Sequence, residues 1–390
     1  MPATTTQVAP AQEAGRPQPQ TTIEPPGGPF IRHSQPGRRP QYSLSGQAYG
    51  SLITQPLVAA PGYARKFRLR FASTGGSTSA SVSATQDAPY SVASLVTLRD
   101  AFGTPLIVGP GWEIFRALPK YGGQFGLHAL SDPSNLPSFS SVATASGASA
   151  GNFAFQSVLP LEFSKAYGVI SMANASLLPT LQIQLAASAS VLASAGAAPV
   201  IGTIAVDNDL DFYWLPEGVA MEPPGLGTTQ QWVLQVANPS IASAASQLVA
   251  LPRLGGFLTN LVFIFRDSTN ARTDAMFPSQ RIRVYVDGVP LVDTRVDTLQ
   301  DDMQIQFAGA DSGEWVRDTG VLALSRKTSL NQESMGLLDT GEEYLSTNPG
   351  TLIQVEGSPW GSFANTPGTL NALVGQVVPA GSLIQGLPEL

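Results

Sequence analysis

The sequence predicts an all-β fold, because short apolar segments with strand periodicity recur along the chain while helical periodicity is scarce. About eight such segments fall within residues 44–218 and about eight more within residues 219–390. The stretch from Val219 to Gly227, between the two sets, is rich in Pro and Gly and has no period, which is typical of a domain boundary. The pattern therefore predicts two tandem eight-stranded jelly rolls with minor short helices and an extended N-terminal arm.

Residues 1–43 are predicted to form the arm, flexible and rich in Pro, with few large apolar side chains to bury. The arm has a formal charge of +2, so the rest of the chain carries −9 of the total of −7. A basic arm on an acidic body is suited to contact a neighbouring subunit, an anionic lipid headgroup or a nucleic acid. A disordered tail without a partner is the alternative.

In residues 44–218 the clearest strand is the segment in which Phe67, Leu69 and Phe71 alternate with arginines. The other predicted strands of this half lie at residues 95–98, 105–108, 153–155, 158–163, 169–172, 181–185, 201–206 and 212–215. One short helix is predicted at Trp112–Leu118, after a Gly-Pro-Gly break. The acidic residues between Asp207 and Asp211 are interpreted as a polar turn that leads into the last strand.

In residues 219–390 the predicted strands lie at residues 231–236, 247–251, 258–265, 281–286, 290–293, 303–307, 321–324, 351–355 and 371–378. The spacing of Asp293, Asp297 and Asp301 predicts a short helix with an acidic face. A second helical turn is predicted within residues 331–344.

An internal sequence repeat supports the prediction that the two halves of the chain arose by duplication of one unit. Gly103 and Pro105 recur as Gly288 and Pro290, 185 positions later and close to half the chain length. Each pair follows an aromatic-rich strand, RKFRLRF in the first half and LVFIFR in the second. We therefore expect two units of the same architecture.

The composition argues against most catalytic chemistry. The chain has no cysteine, which excludes disulfides, thiolate metal sites and cysteine nucleophiles. Its two histidines, His33 and His128, lie in loop-like segments and are too few for most zinc and non-haem iron sites. We accordingly predict no catalytic residue, no cofactor and no metal site.

The charge content favours assembly with neighbouring protein. Only 13% of the residues are charged, roughly half the usual quarter, and such a neutral surface suits repeated protein contacts. The formal charge of −7 argues against a general nucleic-acid binder, and no sequence-specific binding is expected. We find no secretion signal in the first 20 residues, and we interpret the uncharged stretch 166–206 as buried strands with turns.

A carbohydrate-binding or carbohydrate-cleaving tandem β-sandwich is the main alternative. Carboxylates such as Glu113, Glu162 and Asp311 could pair as in glycosidases, although the sequence cannot place two of them close together. The five tryptophans are candidates for a sugar-binding groove, but they are also typical core or interface anchors. Their positions are Trp112, Trp214, Trp232, Trp315 and Trp360.

The layout resembles the double jelly-roll major capsid proteins of tectivirus-type bacteriophages, which are tailless and contain a membrane. The resemblance rests on the length, on the N-terminal arm and on VLPLEFS followed by YGVISMANASLLPTLQIQL in the first unit. It also rests on FYWLPEGVAMEPPG at the crossover to the second unit.

The resemblance implies a major capsid protein that forms pseudo-hexameric trimers and tiles an icosahedral shell around an internal membrane. Loops within residues 121–149 and 309–320 would face outward. The arm would face inward or clamp neighbours, with Arg32, Arg38 and Arg39 as contacts to lipid headgroups or acidic partners. The implied location is the virion, after assembly in the host cytoplasm, with penton or membrane proteins as further partners. Another virion protein such as a spike remains an alternative.

Overall fold

The computed structural model describes residues 28–77, 82–122, 138–139, 151–164, 166–194, 200–217, 221–224, 226–251, 255–308, 317–325, 345–348 and 350–378. The strands of the first half are β1 (Gln35–Gln47), β2 (Leu52–Ile53), β3 (Tyr63–Ser77), β4 (Val82–Ala84), β5 (Ala93–Arg99), β6 (Pro105–Gly109), β7 (Ser138–Phe139), β8 (Phe153–Pro160), β9 (Ile170–Ser171), β10 (Thr180–Leu185), β11 (Leu192–Ser194) and β12 (Val200–Trp214). Those of the second half are β13 (Thr229–Ile241), β14 (Gln247–Ala250), β15 (Phe257–Arg266), β16 (Arg281–Val286), β17 (Val289–Arg295), β18 (Val321–Ser325), β19 (Leu345–Ser346), β20 (Ile353–Ser358) and β21 (Gly368–Val378).

Helices are few and short within these ranges. The helices are α1 (Gly28–His33), α2 (Leu118–Tyr121), which continues a helical turn at Glu113–Ala117, and α3 (Val296–Ala308). Single helical turns lie at Tyr90–Val92, Ser188–Ser190 and Asp274–Met276. The helix predicted at 112–118 is therefore present.

The first half of the chain forms one jelly roll. Its main strands pair in the orders β1-β12-β3-β8 and β2-β10-β5-β6, all antiparallel. Apart from the neighbours β5 and β6, the consecutive main strands thus alternate between the two sheets, as in a jelly roll. Short strands β7 and β9 join the first of these sheets, and β4 and β11 form a separate pair.

The second half repeats this connectivity. Its strands pair in the orders β13-β21-β15-β18 and β14-β20-β16-β17. The registers also repeat. Gln35 pairs with Trp214 at the start of β1, and Thr229 pairs with Val378 at the start of β13, 194 positions later. Two tandem jelly rolls with minor helices, as predicted, are confirmed.

The sequence repeat marks equivalent turns. Gly103 lies between β5 and β6, and Gly288 lies between β16 and β17. Their φ angles are +87° and +80°, a left-handed conformation in which a Cβ atom would be strained, so glycine suits both turns. The aromatic-rich segments before them form β3 and β15, which also occupy equivalent places.

The two jelly rolls share one continuous sheet. β6 of the first pairs in parallel with β13 of the second, with Ile107 opposite Trp232 and Val108 opposite Val233. A nine-stranded sheet results. β15 is buried almost along its whole length because both of its faces are covered, which explains its unbroken apolar sequence. In β3, by contrast, the buried Phe67, Leu69 and Phe71 alternate with charged residues.

Three sequence predictions are wrong. Residues 28–43 do not belong to a flexible arm, because α1 and β1 are part of the first jelly roll and β1 pairs along β12. The acidic segment 207–211 is not a turn but lies inside β12, where basic neighbours neutralise its charges. Residues 303–307 belong to α3, since Leu299 and Met303, four residues apart, are buried on one helix face.

The acidic helix is correct for Asp297 and Asp301, which are exposed on α3, whereas Asp293 lies in β17. The helical turn predicted within 331–344 lies outside the described residues. So do His128, Asp311, Trp315 and most of the two loops expected to face outward. The boundary near residue 218 stays a prediction.

Candidate assembly interface

The contact between the two jelly rolls is built on the segment that connects β6 to β8. The helical residues 112–121 of this connection lie on the outer face of the sheet formed by β13, β21 and β15. The Nδ2 atom of Asn260 in β15 donates a hydrogen bond to the carbonyl oxygen of Tyr121, at 3.2 Å. Glycines make room for the fully buried ring of Trp232: a Cβ atom at Gly122 would lie 3.1 Å from that ring, and one at Gly375 only 2.6 Å.

Two arginines of the second jelly roll bind acidic residues of the first. The guanidinium of Arg266 lies 2.7 Å from the carboxylate of Asp87 and 2.9 Å from that of Glu113. Arg272 lies 2.6 Å from Asp87 and stacks on the ring of Trp112, 4.0 Å from its centroid. Because Arg266 and Glu113 are both nearly fully buried, each needs the other to offset the loss of water.

In a second group of ion pairs the charges are exchanged: the acidic residue belongs to the second jelly roll and the basic residues belong to the first. Asp318 of the second jelly roll accepts bonds from Arg116 at 3.1 Å, Lys120 at 2.9 Å and the Tyr121 hydroxyl at 2.9 Å. Burial by itself would raise the pKa of Asp318, but Arg116 and Lys120 outweigh it and hold that pKa below its ordinary value. Burial lowers the pKa of Lys120 to about 8. The junction is therefore polar, paired and largely dry.

Glu113 and Glu162, the two described carboxylates that were considered for catalysis, form ion pairs. Glu113 binds Arg266, as described above. Glu162 lies 2.7 Å from Arg65 and accepts hydrogen bonds from the Tyr213 hydroxyl at 2.9 Å and the Ala166 amide at 2.8 Å. Each of these two carboxylates is thus held by a cation of its own, which favours a structural role over a glycosidase pair.

The described tryptophans lie in the hydrophobic core or pack against it. Trp112, Trp232 and Trp360 are buried, and Trp214 is half-buried against the core. These four described tryptophans do not present a row of exposed rings, which is the feature that a sugar-binding groove requires. Their places therefore favour packing and interface roles.

The corresponding outer face of the first jelly roll is open and charged. On the surface formed by β1, β12 and β3, Asp211 is central: Arg38 and Arg68 each approach it to 2.7 Å, and Lys66 lies at 3.8 Å. Burial would raise the pKa of Asp211, but the hydrogen bonds from Arg38 and Arg68 outweigh it and lower that pKa. Further pairs of acidic β12 and basic β3 positions follow in register, Asp209 with Arg68 and Asp207 with Arg70.

The three predicted contact residues lie at the start of the first jelly roll. Arg32 is exposed on α1, which Phe30 fixes by packing its ring edge-on against the rings of Tyr63 and Tyr213, both at 5.7 Å. Arg38 and Arg39 are neighbours in β1. Arg38 binds Asp211, and Arg39 donates a hydrogen bond of 2.7 Å to the carbonyl oxygen of Ala59.

Sequence reasoning missed the partners of these arginines. Asp211, Lys66 and Arg68 complete the charged face, and a signal for them was present. Basic residues alternate with apolar ones in the second part of RKFRLR, and acidic residues alternate with Asn and Leu in DNDLD. Two strands with opposite charges at period two are expected to pair so that the charges meet on one face.

Neither metal chemistry nor a membrane-spanning helix is indicated by the described part of the chain. No three His, Asp or Glu side chains gather there in a way that could hold a metal ion. Among the helices of those residues, none is long and apolar enough to cross a membrane.

Comparisons with solved structures identify the fold. The chain has the fold of double jelly-roll major capsid proteins, and the coverage of both partners extends over nearly their full lengths. It is similar to the STIV MCP, the major capsid protein of Sulfolobus Turreted Icosahedral Virus, with a TM-score of 0.59, 15% identity, and coverage of 90% of this chain and 100% of that one. A chain of the atomic structure of the same virus gives a TM-score of 0.57, 16% identity, and coverage of 91% and 94%.

A second virus gives a comparable likeness. The Faustovirus major capsid protein has a TM-score of 0.58 at 10% identity, with coverage of 96% of this chain and 92% of that one. No protein-family model matches the chain, and no curated protein matches it. The double jelly-roll capsid fold expected from the sequence is confirmed, and the tectivirus type in particular stays a prediction.

Proposed function

We propose that this chain is a structural major capsid protein whose trimers, pseudo-hexagonal in outline, tile an icosahedral shell around an internal membrane. The observation that carries the proposal is the repetition of one jelly roll in the same register within a single chain. Because each chain contains two similar jelly rolls, a threefold trimer contains six similar units and has a nearly sixfold outline, which suits hexagonal packing. The low content of charged residues, 13%, suits a surface that is mostly covered by neighbours.

The role is mechanical, without catalysis or a cofactor. The partners are other copies of the chain and further virion proteins, such as penton or membrane proteins. The place of action is the virion, and assembly occurs in the host cytoplasm. Glu113 and Glu162 serve structure, since each is bound by an arginine.

The two jelly rolls point in the same direction. The amide of Gly50, just after β1, donates to the carbonyl oxygen of Ala186, just after β10, so β1 and β10 end together. The amide of Ala244, after β13, likewise donates to Gly361, after β20. Because β6 and β13 are parallel, both of the turns that carry the repeated glycine lie at the end where β1 begins.

That end carries the most exposed large apolar side chains of the described residues. Phe102, in the turn after β5, is 85% exposed, and Val289, after the turn that follows β16, is 66% exposed. Residues 1–27 also join the fold there, through α1 with its exposed Arg32. Apolar tips beside basic residues suit an anionic lipid surface, so we place this end toward the membrane.

The test of the capsid role is the size and outline of the purified protein. Light scattering should give a mass near three times 40.8 kDa, and negative-stain microscopy should show hexagonal particles, sheets or shells. A monomer at every concentration and salt condition would contradict the proposal.

The test of the membrane-facing end is flotation with liposomes that contain anionic lipid. The Phe102→Ser, Val289→Ser double variant should lose most of the binding. Leu248→Ser is the matched control, because Leu248 is also exposed but lies on β14, near the opposite end. Equal loss in the control, or none in the double variant, would remove this assignment.

A further inference from the structure

We propose that the contact between the two jelly rolls of one chain recurs between chains, so that β17 and α3 of one copy contact β1 and the charged sheet face of the next. This inference rests on the proposed trimer and names the surfaces that build it. The partner is a second copy of the same chain.

The contact within the chain is the template. There, β6 of the first jelly roll lies beside β13 of the second over two residue pairs, Ile107 with Trp232 and Val108 with Val233. The helical segment that follows β6 covers the outer face of β13, β21 and β15. The elements that are equivalent to these but make no such contact within the chain define the surfaces through which one copy would bind the next.

The registers identify those equivalents residue by residue. β1 and β13 both have 13 residues and begin 194 positions apart. The same shift of 194 positions relates Lys66 to Asn260. Lys66 pairs with Asp211 in the first jelly roll, and Asn260 pairs with Gly375 in the second. Arg38 and Arg39 of β1 therefore correspond to Trp232 and Val233.

The other partner strand maps in the same way. β6 and β17 follow the repeated Gly-x-Pro turn, 185 positions apart. In the paired registers Val108 lies opposite Thr97, and Asp293 lies opposite Arg283. Ile107 and Val108 thus correspond to Val292 and Asp293. Between copies, Val292 would lie opposite Arg38, and Asp293 opposite Arg39.

Both edges are available. Among the described residues, β1 pairs only with β12, and β17 pairs only with β16. The side chains of Arg39 and Asp293 are exposed and of opposite charge. Asp293 is flanked on its own sheet by Arg281 at 3.1 Å and Arg283 at 3.4 Å. Pro36 and Pro40 lack an N–H and limit strand pairing on β1 to a short contact, as in the template.

The helices add a second complementary contact. α3 follows β17 as the 112–121 segment follows β6, and its Asp297 and Asp301 take the places of Trp112 and Arg116. Trp112 and Arg116 are residues with which the template contacts the second jelly roll. The face that α3 would cover carries four basic and three acidic residues. Its basic residues are Arg38, Lys66, Arg68 and Arg70, and its acidic ones are Asp207, Asp209 and Asp211.

The proposed trimer requires this contact to close at three chains. The proposed contact joins two different surfaces, so it is head-to-tail and closes only when the rotations sum to a full turn. In the proposed trimer every step between jelly rolls repeats the step within the chain, so that six jelly rolls from three chains form the ring. An isologous contact would instead stop at two chains.

A disulfide tests this register directly, because the natural chain has no cysteine. Adjacent strands lie about 4.8 Å apart, which is within the Cα separation that a disulfide accepts. The Asp293→Cys, Arg39→Cys variant should therefore oxidise to linked dimers and trimers on a non-reducing gel, with no larger species. The matched control is Asp293→Cys, Ser45→Cys, in which the second cysteine lies six residues farther along β1, about 20 Å away.

A charge swap gives an independent readout without oxidation. Asp293→Arg should weaken trimer formation roughly tenfold or more, because it places like charges opposite each other. Adding Arg39→Glu should restore most of the loss. Light scattering of each variant measures the effect.

The outcomes separate the two proposals. A wild-type trimer whose cysteine pair stays unlinked, or links no better than the control, overturns the proposed surfaces and leaves the capsid role intact. A ladder that continues beyond three chains overturns ring closure. A wild-type protein that remains monomeric contradicts the capsid role and this inference together.

Discussion

Asp211 and Gly375 occupy the same position in the two jelly rolls. Asp211 in β12 pairs with Arg38 and Lys66, while Gly375 in β21 pairs with Trp232 and Asn260. The first row is charged, and the side chain of Arg38 in it is 56% exposed. The second is covered by the 112–121 segment, and its glycine leaves room for an indole ring. The residue at this position thus differs between the two outer sheet faces: it is an aspartate on the charged face of the first jelly roll and a glycine on the face of the second jelly roll that the 112–121 segment covers.

Gly375→Ala should destabilise the chain by about 1–3 kcal/mol, because the added methyl group would lie 2.6 Å from the Trp232 ring. Urea denaturation measures the loss. The control is the same change in a Trp232→Leu background, where the smaller side chain leaves space. If the cost is the same in both backgrounds, the overlap with Trp232 is not its cause.

Asp318→Ala should cost about 3–5 kcal/mol, because Arg116 and Lys120 would remain buried without their carboxylate. Adding Lys120→Met should recover part of the loss by removing one of the unpaired charges. Denaturation of both variants checks this, with Glu217→Ala as an exposed control that should show no measurable change. An Asp318→Ala protein as stable as the wild type would show that the junction does not depend on this group.

Lys120 predicts a pH dependence of stability. Burial lowers its pKa in the folded chain to about 8 from an ordinary value of 10.5. Between these two values the unfolded chain retains a proton that the folded chain has released, so stability should increase with pH in this window. Below pH 8 the lysine is charged in both states and its full burial cost is present.

The measurement is the free energy of unfolding from pH 7.5 to 10. Lys120→Met should lack the lysine's contribution, so the wild type should gain stability relative to this variant as the pH rises. Parallel curves for the two proteins would contradict the assignment. The raised pKa of the buried Tyr121 acts in the opposite direction only at higher pH.

Truncations separate the arm from the folded body. Deletion of residues 1–27 should leave unfolding unchanged, because α1 and β1 remain, and should impair assembly or membrane attachment. Deletion of residues 1–40 should also reduce stability, since it removes Phe30 and the first part of β1. Normal particles from the shorter deletion would show that the arm has no role in assembly. Unfolding curves and microscopy provide the two measurements.

The strands of the core were predictable because their burial repeats with a simple period. Phe67, Leu69 and Phe71 alternate with charged residues that remain outside, and β15 is apolar throughout because both of its faces are covered. The Gly103 and Gly288 repeat was informative because a left-handed turn limits the choice of residue. Local physical constraints of this kind are visible in a single sequence.

The rest depended on partners that are distant in the chain. Asp207, Asp209 and Asp211 resemble a polar turn until the basic residues of β3 are placed beside them. β1 looks like a disordered tail because its sequence has few apolar residues, and it pairs with β12 across 157 to 179 positions of the chain. The charged face was therefore missed although Arg38 and Arg39 were singled out. For α3, the alternation of Met303 and Phe307 with polar residues imitated a strand.

Among the described residues, the nine-stranded sheet joins the two jelly rolls directly. β6 and β13 are joined by backbone pairing, and the ion pairs of Arg266 and Asp318 hold the two jelly rolls together next to this strand pair. In the shell proposed above, each chain would therefore act as a stiff unit. The curvature of that shell, and hence the size of the particle it encloses, would be set at the seams between the proposed trimers, where variation in sequence would have its largest effect on geometry.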